Sequence, residues 1–150
     1  MEDEAEIQTE IKQILVSQKF AVLSTQEKEH PYLSLVAFAE TADLKTILFA
    51  TPRTTRKYGN IMAKSGVALL VDNRSNEAAD IRQAIAVTVI GRAHEVPESE
   101  REALSRVYLE KHPHMKDFLA SPLTALFTTN VRSYIVVSRF QEVATLNLES

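Results

Sequence analysis

Three runs rich in β-branched and aromatic residues follow one another between Phe20 and Thr51, separated only by short polar connections. They are FAVLST (Phe20–Thr25), PYLSLVAFA (Pro31–Ala39) and TILFAT (Thr46–Thr51). The connections run Gln26–His30 and Thr41–Lys45. Strands joined in this way form hairpins, and strand and helix do not alternate as a parallel α/β sheet requires. The later chain adds Val67–Asp72, then Ala84–Val96 with Gly91 as a bulge, Ala125–Thr129, Ser133–Val137 and an edge strand within QEVATLNLE. Three helices complete the pattern. Glu4–Gln18 carries Ile7, Ile11, Ile14 and Leu15 at helical spacing, Thr54–Lys64 carries Ile61 and Met62, and Ser99–His112 carries Leu104, Val107, Tyr108 and Leu109. The expected fold is mainly β (α+β), an antiparallel barrel of six to seven strands with helices packed at its ends.

Nothing divides residues 1–150 into two domains, and a chain of this length buries a core without staples. Cysteine is absent, which excludes disulfides, thiolate metal sites and cysteine nucleophiles. The net charge of −3 argues against a general nucleic-acid binder. The acidic start MEDEAEIQTE lacks the features of a signal peptide, and no apolar run approaches bilayer length, so the expected location is cytoplasmic with no membrane partner. No G-x-S-x-G, G-x-G-x-x-G or Walker pattern occurs, which leaves hydrolase and nucleotide-loop chemistry without support.

The segment that carries chemistry is TPRTTRKYGNI, Thr51–Ile61, at a strand-to-helix junction. It sets Arg53, Arg56 and Lys57 beside the hydroxyls of Thr51, Thr54 and Thr55. The first turn of a helix exposes unpaired N–H groups and a positive dipole end, which opposes cations. Cations gathered there suit an anion held jointly by side chains and backbone, a phosphate above all. The alternative is that Thr54 or Thr55 is a simple N-cap and the cations form a solvated face.

The run FATPRTTRKYGNI resembles the phosphate-binding segment of the pyridoxamine-phosphate oxidase family, in which an aromatic-x-Thr strand end leads into Ser-Arg-Lys and a helix. Thr51, Thr55, Arg56 and Lys57 fall on the matching positions, with Thr55 in place of the usual serine. PYLSLVAFA is similar to the family strand that lines the flavin, and AVTVIGRAHEV to the strand ending Val-Ile-Gly-Lys-Ala. The resemblance implies a split β-barrel with flanking helices, a homodimer, and FMN at the subunit interface. It implies that Arg56 and Lys57 grip the flavin phosphate, supported by Thr55. Ala50 and Thr51 would approach the flavin from their strand end, and Ser34, Leu35 and Val36 would lie along its ring or ribityl chain. The function implied is that of an FMN-dependent oxidoreductase or flavin reductase, with a nicotinamide as possible electron donor. The alternatives are a non-catalytic flavin carrier, or a haem- or deazaflavin-binding relative.

The chain departs from the oxidase pattern in three places. Ala39 stands where the oxidase has a substrate-binding lysine, Ala86 replaces a flavin-facing glutamine (Gln83 lies nearby), and the Trp- and Arg-rich C-terminal signature is missing. These departures argue against vitamin B6 oxidation. His112 and His114 form an H-x-H pair that reads as a solvated helix end rather than a metal or haem site. His30 and His94 read as surface residues. Asp72, Asn73 and Arg74 read as a strand-ending turn, Arg139 as a surface arginine or a contact across a dimer to phosphate, and Glu98, Glu100 and Glu102 as acids favouring a helix start.

Overall fold

The computed structural model describes residues 3–138 and 141–148. In chain order the elements are α1 (Glu4–Ser17), β1 (Phe20–Glu27), β2 (His30–Glu40), β3 (Thr46–Pro52), α2 (Arg56–Ala63), β4 (Gly66–Asp72), α3 (Asp80–Gln83), β5 (Ala86–Glu95), α4 (Glu98–Lys111), α5 (Lys116–Ala120), β6 (Thr124–Ser138) and β7 (Glu142–Asn147), with a 3-10 turn at Pro113–Met115. Every strand pairing is antiparallel, in the order β3-β2-β1-β4-β5-β6-β7, and β3 also pairs with β6. That last pairing closes six strands into a barrel and leaves β7 as an extra strand on β6. The expected antiparallel barrel is the observed fold.

Strand alternation explains the core. In β1, Ala21, Leu23 and Thr25 turn inward while Phe20, Val22 and Ser24 turn outward; in β4, Val67, Leu69 and Val71 turn inward. α1 closes the interior with Ile11, Ile14 and Leu15, the residues its spacing singled out, and α2 contributes Ile61. A second cluster lies outside the barrel, where Tyr108 and Leu119 cover Ala39, Leu48 and Leu126. The remaining outer face is uncovered: Phe20, Leu33 and Leu35 are 56%, 62% and 69% exposed. Among the described residues no helix is long and apolar enough to cross a membrane.

The two strands expected at Ala125–Thr129 and Ser133–Val137 are one, the 15-residue β6. The polar segment between them does not turn. Asn130 and Arg132 point outward and Val131 points into the core, and the strand runs on through an irregularity instead of turning. The register shift falls at Gly91, as expected, but the extra residue is on β6. Ile90 faces Ser133 and Gly91 faces Val131, which leaves Arg132 bulged and moves the core-facing side chains from Val131 to Tyr134. A side chain at Gly91 would collide with the Asn130 backbone carbonyl, so only glycine fits.

Leu44 is buried in the left-handed region at φ 64°, and its carbonyl accepts a 2.6 Å hydrogen bond from the buried Tyr134 hydroxyl. Burial pushes the Tyr134 phenol above its ordinary pKa, so it remains a donor at all ordinary pH values. Tyr134→Phe leaves the carbonyl without this donor. Chemical denaturation should show a stability loss of about 1–3 kcal/mol, and no loss would mean the turn is held by its own backbone.

Candidate functional site

As β1 and β4 do, β2 and β3 pair over three residues only. They pair at Phe38–Phe49, Ala39–Leu48 and Glu40–Ile47, whereas β2 follows β1 all the way from Ala37 back to His30. Beyond Phe38, β2 has no β3 neighbour, and beyond Phe49, β3 pairs only with β6. The two lips of this fork carry the residues singled out in the sequence: Ser34, Leu35 and Val36 on β2, and Ala50 and Thr51 on β3. Leu35 faces outward, while Ser34 and Val36 turn inward. The buried Ser34 hydroxyl has no hydrogen-bond partner among the described residues.

α2 starts at the end of the β3 lip. Thr55 is its N-cap, accepting from the Tyr58 amide at 3.3 Å, so the simple-cap reading holds as far as it goes. The same hydroxyl lies 2.7 Å from that of the buried Thr51. The first turn contains no acid, so its positive dipole end is not offset from within the helix. α2 is pinned to the β1–β2 hairpin by buried Asn60, whose amide donates to the Thr25 hydroxyl at 3.0 Å.

The three cations, adjacent in sequence, part company in space. Arg53 forms an ion pair with Glu95 on β5, and Tyr58 donates to the other carboxylate oxygen of Glu95 at 3.2 Å. Arg53 is therefore occupied structurally. Arg56 lies 3.6 Å from the Glu27 carboxylate and 5.2 Å from the centre of the Tyr32 ring, and both charged groups are substantially exposed. Lys57 is partly buried and has no ion pair or hydrogen bond among the described residues. Burial alone holds its pKa below the ordinary lysine value. Thr51, Thr55, Arg56 and Lys57 thus lie at one helix start. Both hydroxyls are engaged within the turn, Thr55 donating to the Pro52 carbonyl at 3.0 Å, so the arrangement offers backbone N–H groups and a cation that has no counter-ion among the described residues. Glu27 and Glu95 are the residues the sequence did not reveal. Both sat in segments that read as plain turn or strand, and only the barrel brings them to the cations.

Other expectations meet the structure as follows. His30 and His94 are exposed, as expected. Asp72 pairs with Arg74 at 3.0 Å in the turn after β4. Arg139 lies outside the described residues. The reading of His112 and His114 as a solvated helix end is corrected for His112, which is 1% exposed with Nε2 2.6 Å from the Phe38 carbonyl. The neighbouring Pro113 ends α4, and the chain folds back over β2, burying the ring. His114 is exposed, and no group of three or more His, Asp or Glu residues that could hold a metal occurs among the described residues.

The same fold occurs in solved structures of low sequence identity. The haem binding protein from Mycobacterium smegmatis shares 16% identity with a TM-score of 0.80, covering 89% of this chain and 55% of that one. A FAD-binding protein from Mesorhizobium loti shares 16% identity with a TM-score of 0.68, over 85% of this chain and 91% of that one. A Clostridium acetobutylicum protein related to general stress protein 26, of the pyridoxinephosphate oxidase family, shares 11% identity with a TM-score of 0.75 over 97% of each chain. At these identities the likeness shows the fold alone. No curated protein matches the chain. The sequence profile of the pyridoxamine 5'-phosphate oxidase family matches residues 7–132, the region that builds the barrel and the fork, and the chain belongs to that family.

Proposed function

We propose that this protein holds FMN by its terminal phosphate at the start of α2 and acts as an FMN-dependent oxidoreductase or flavin reductase. The observation that carries the reading is Lys57: a partly buried ammonium with no counter-ion among the described residues, in the acid-free first turn of a helix capped by Thr55. A phosphate there accepts from backbone amides and cations together. The Ser34 hydroxyl, unpartnered among the described residues, adds a polar group on the β2 lip toward the rest of the flavin. Bound at the fork, a flavin supplies reversible hydride and electron transfer, and the protein supplies position and electrostatics. A nicotinamide is the proposed electron donor.

Vitamin B6 oxidation is not part of this reading. Ala39, at the position of the oxidase's substrate lysine, is buried under α4 with no charge to offer. The H-x-H pair lends no support to haem, because His112 spends Nε2 on a backbone carbonyl. The proposed assembly is a homodimer in which a second copy covers the exposed Phe20, Leu33 and Leu35. A flavin at that boundary would touch both copies.

Reconstitution with FMN tests the cofactor directly. Bound flavin absorbance should survive desalting, and a preparation that stays colourless overturns the reading. Anaerobic bleaching by NADH or NADPH separates a reductase from a carrier, which would hold FMN without being reduced. Arg56→Ala combined with Lys57→Ala should abolish FMN retention with the fold intact by circular dichroism, each charge-assisted contact contributing about 1.5–3 kcal/mol and the exposed Arg56 less. Glu27→Gln should act in the opposite sense. It frees Arg56 from its only ion pair among the described residues, and calorimetric titration should show FMN affinity rising about two- to fivefold, the range of an exposed pair. Unchanged or weaker affinity would mean that Arg56 does not turn to the phosphate.

A further inference from the structure

The fork at which β2 leaves β3 is held from outside the barrel by one turn of α4 and the residue after it. The buried Tyr108 hydroxyl donates to the Ala37 carbonyl at 3.2 Å, and His112 Nε2 lies 2.6 Å from the Phe38 carbonyl. Lys111 donates to the Glu40 carboxylate and to the Leu15 carbonyl, each at 2.7 Å, and its ammonium sits 4.0 Å from the centre of the Phe38 ring. The rings of Tyr108 and His112 are 5.1 Å apart. Phe38 is the last β2 residue paired with β3, and Ala37 is the first beyond it. The contacts therefore fall where the strand diverges, and past that point β2 keeps its pairing with β1 but has no β3 partner among the described residues.

We propose that Tyr108 and His112 are positioning residues for the fork: they latch the β2 lip where it parts from β3, and releasing them weakens binding of a phosphate-bearing flavin. The inference rests on the FMN reading above, although the latch itself can be measured without ligand. Neither side chain belongs to the fork itself; each acts through a β2 carbonyl.

The chemistry of the latch makes it sensitive to acid. To donate to a carbonyl, the neutral His112 ring carries its proton on Nε2. Burial holds its pKa below the ordinary 6.5, opposed by the bond to Phe38 and reinforced by the cations of Lys111, His114 and Lys19. Among the groups facing the ring, Glu40 on β2 is engaged by Lys111, and Tyr108 is a phenol whose pKa burial raises to about 12. Protonation would thus place a second buried cation beside Lys111. Because the folded pKa is depressed, stability from the neutral ring is complete above 6.5 and is lost as pH falls below it.

The test uses the full chain, with Tyr108→Phe, which keeps the ring in the core, and His112→Gln, which keeps a neutral donor at every pH. Hydrogen exchange of amides 33–37 should be faster in Tyr108→Phe than in the wild type, with FMN affinity at least about threefold weaker at pH about 8. Between pH about 8 and about 5.5 the wild type should lose affinity more steeply than His112→Gln; protonation of the FMN phosphate is common to both and cancels in the comparison. Unchanged exchange in Tyr108→Phe, or identical pH profiles for wild type and His112→Gln, overturns the latch. Should His112→Gln fail to fold, the Tyr108→Phe exchange decides the matter. Absent FMN binding by the wild type at pH about 8 overturns the FMN reading, and the exchange data still judge the latch.

Discussion

Everything local to the candidate site depends on how little β2 and β3 share. A six-stranded barrel closes only if its first and last strands meet and each neighbour pairs, yet here two seams, β1–β4 and β2–β3, are limited to three residue pairs each, and it is the second, beginning at Phe38–Phe49, that borders the candidate site. Past that point the lips keep their outer neighbours, β1 and β6, and lose each other. A sheet edge left open usually invites another chain. In this fold α2 begins at the end of β3, and Tyr108 and His112 bind the β2 carbonyls of Ala37 and Phe38 where the two strands part.

The electrostatics follow from that geometry. Sequence adjacency suggests one cluster of three cations, but the barrel distributes them: Arg53 to Glu95 on β5, Arg56 to Glu27 at the end of β1, and Lys57 to no anion among the described residues. Of these, the two exposed or partly exposed ion pairs cost little to rearrange, whereas a partly buried ammonium without a partner is a standing penalty. That difference singles out Lys57, in the first turn of the helix that Thr55 caps.

Legibility varied by element in a physically consistent way. α1, the β1–β2 hairpin and the irregularity at Gly91 were legible because each is determined by local periodicity or by a residue type with a single use. The Thr51–Lys57 segment was legible as a strand end leading into a helix capped by Thr55. β6 was misread as two strands because the Asn130–Ser133 segment, with Asn130 and Arg132, looks like a turn until a neighbouring strand supplies the face they point away from. His112 was misread because burial is a tertiary property, and nothing in K-H-P-H says that β2 lies beneath it.

By itself the sequence determined which segments could be strands or helices, since backbone periodicity is written in the order of apolar and polar side chains. It also determined which residue types stand at the start of α2. Only the tertiary structure decided which cation lacks a partner, where β2 and β3 separate and what holds them there. Those outcomes depend on contacts between residues such as Arg53 and Glu95 or His112 and Phe38, tens of positions apart, and distance along a chain carries no information about distance in space once a barrel has closed.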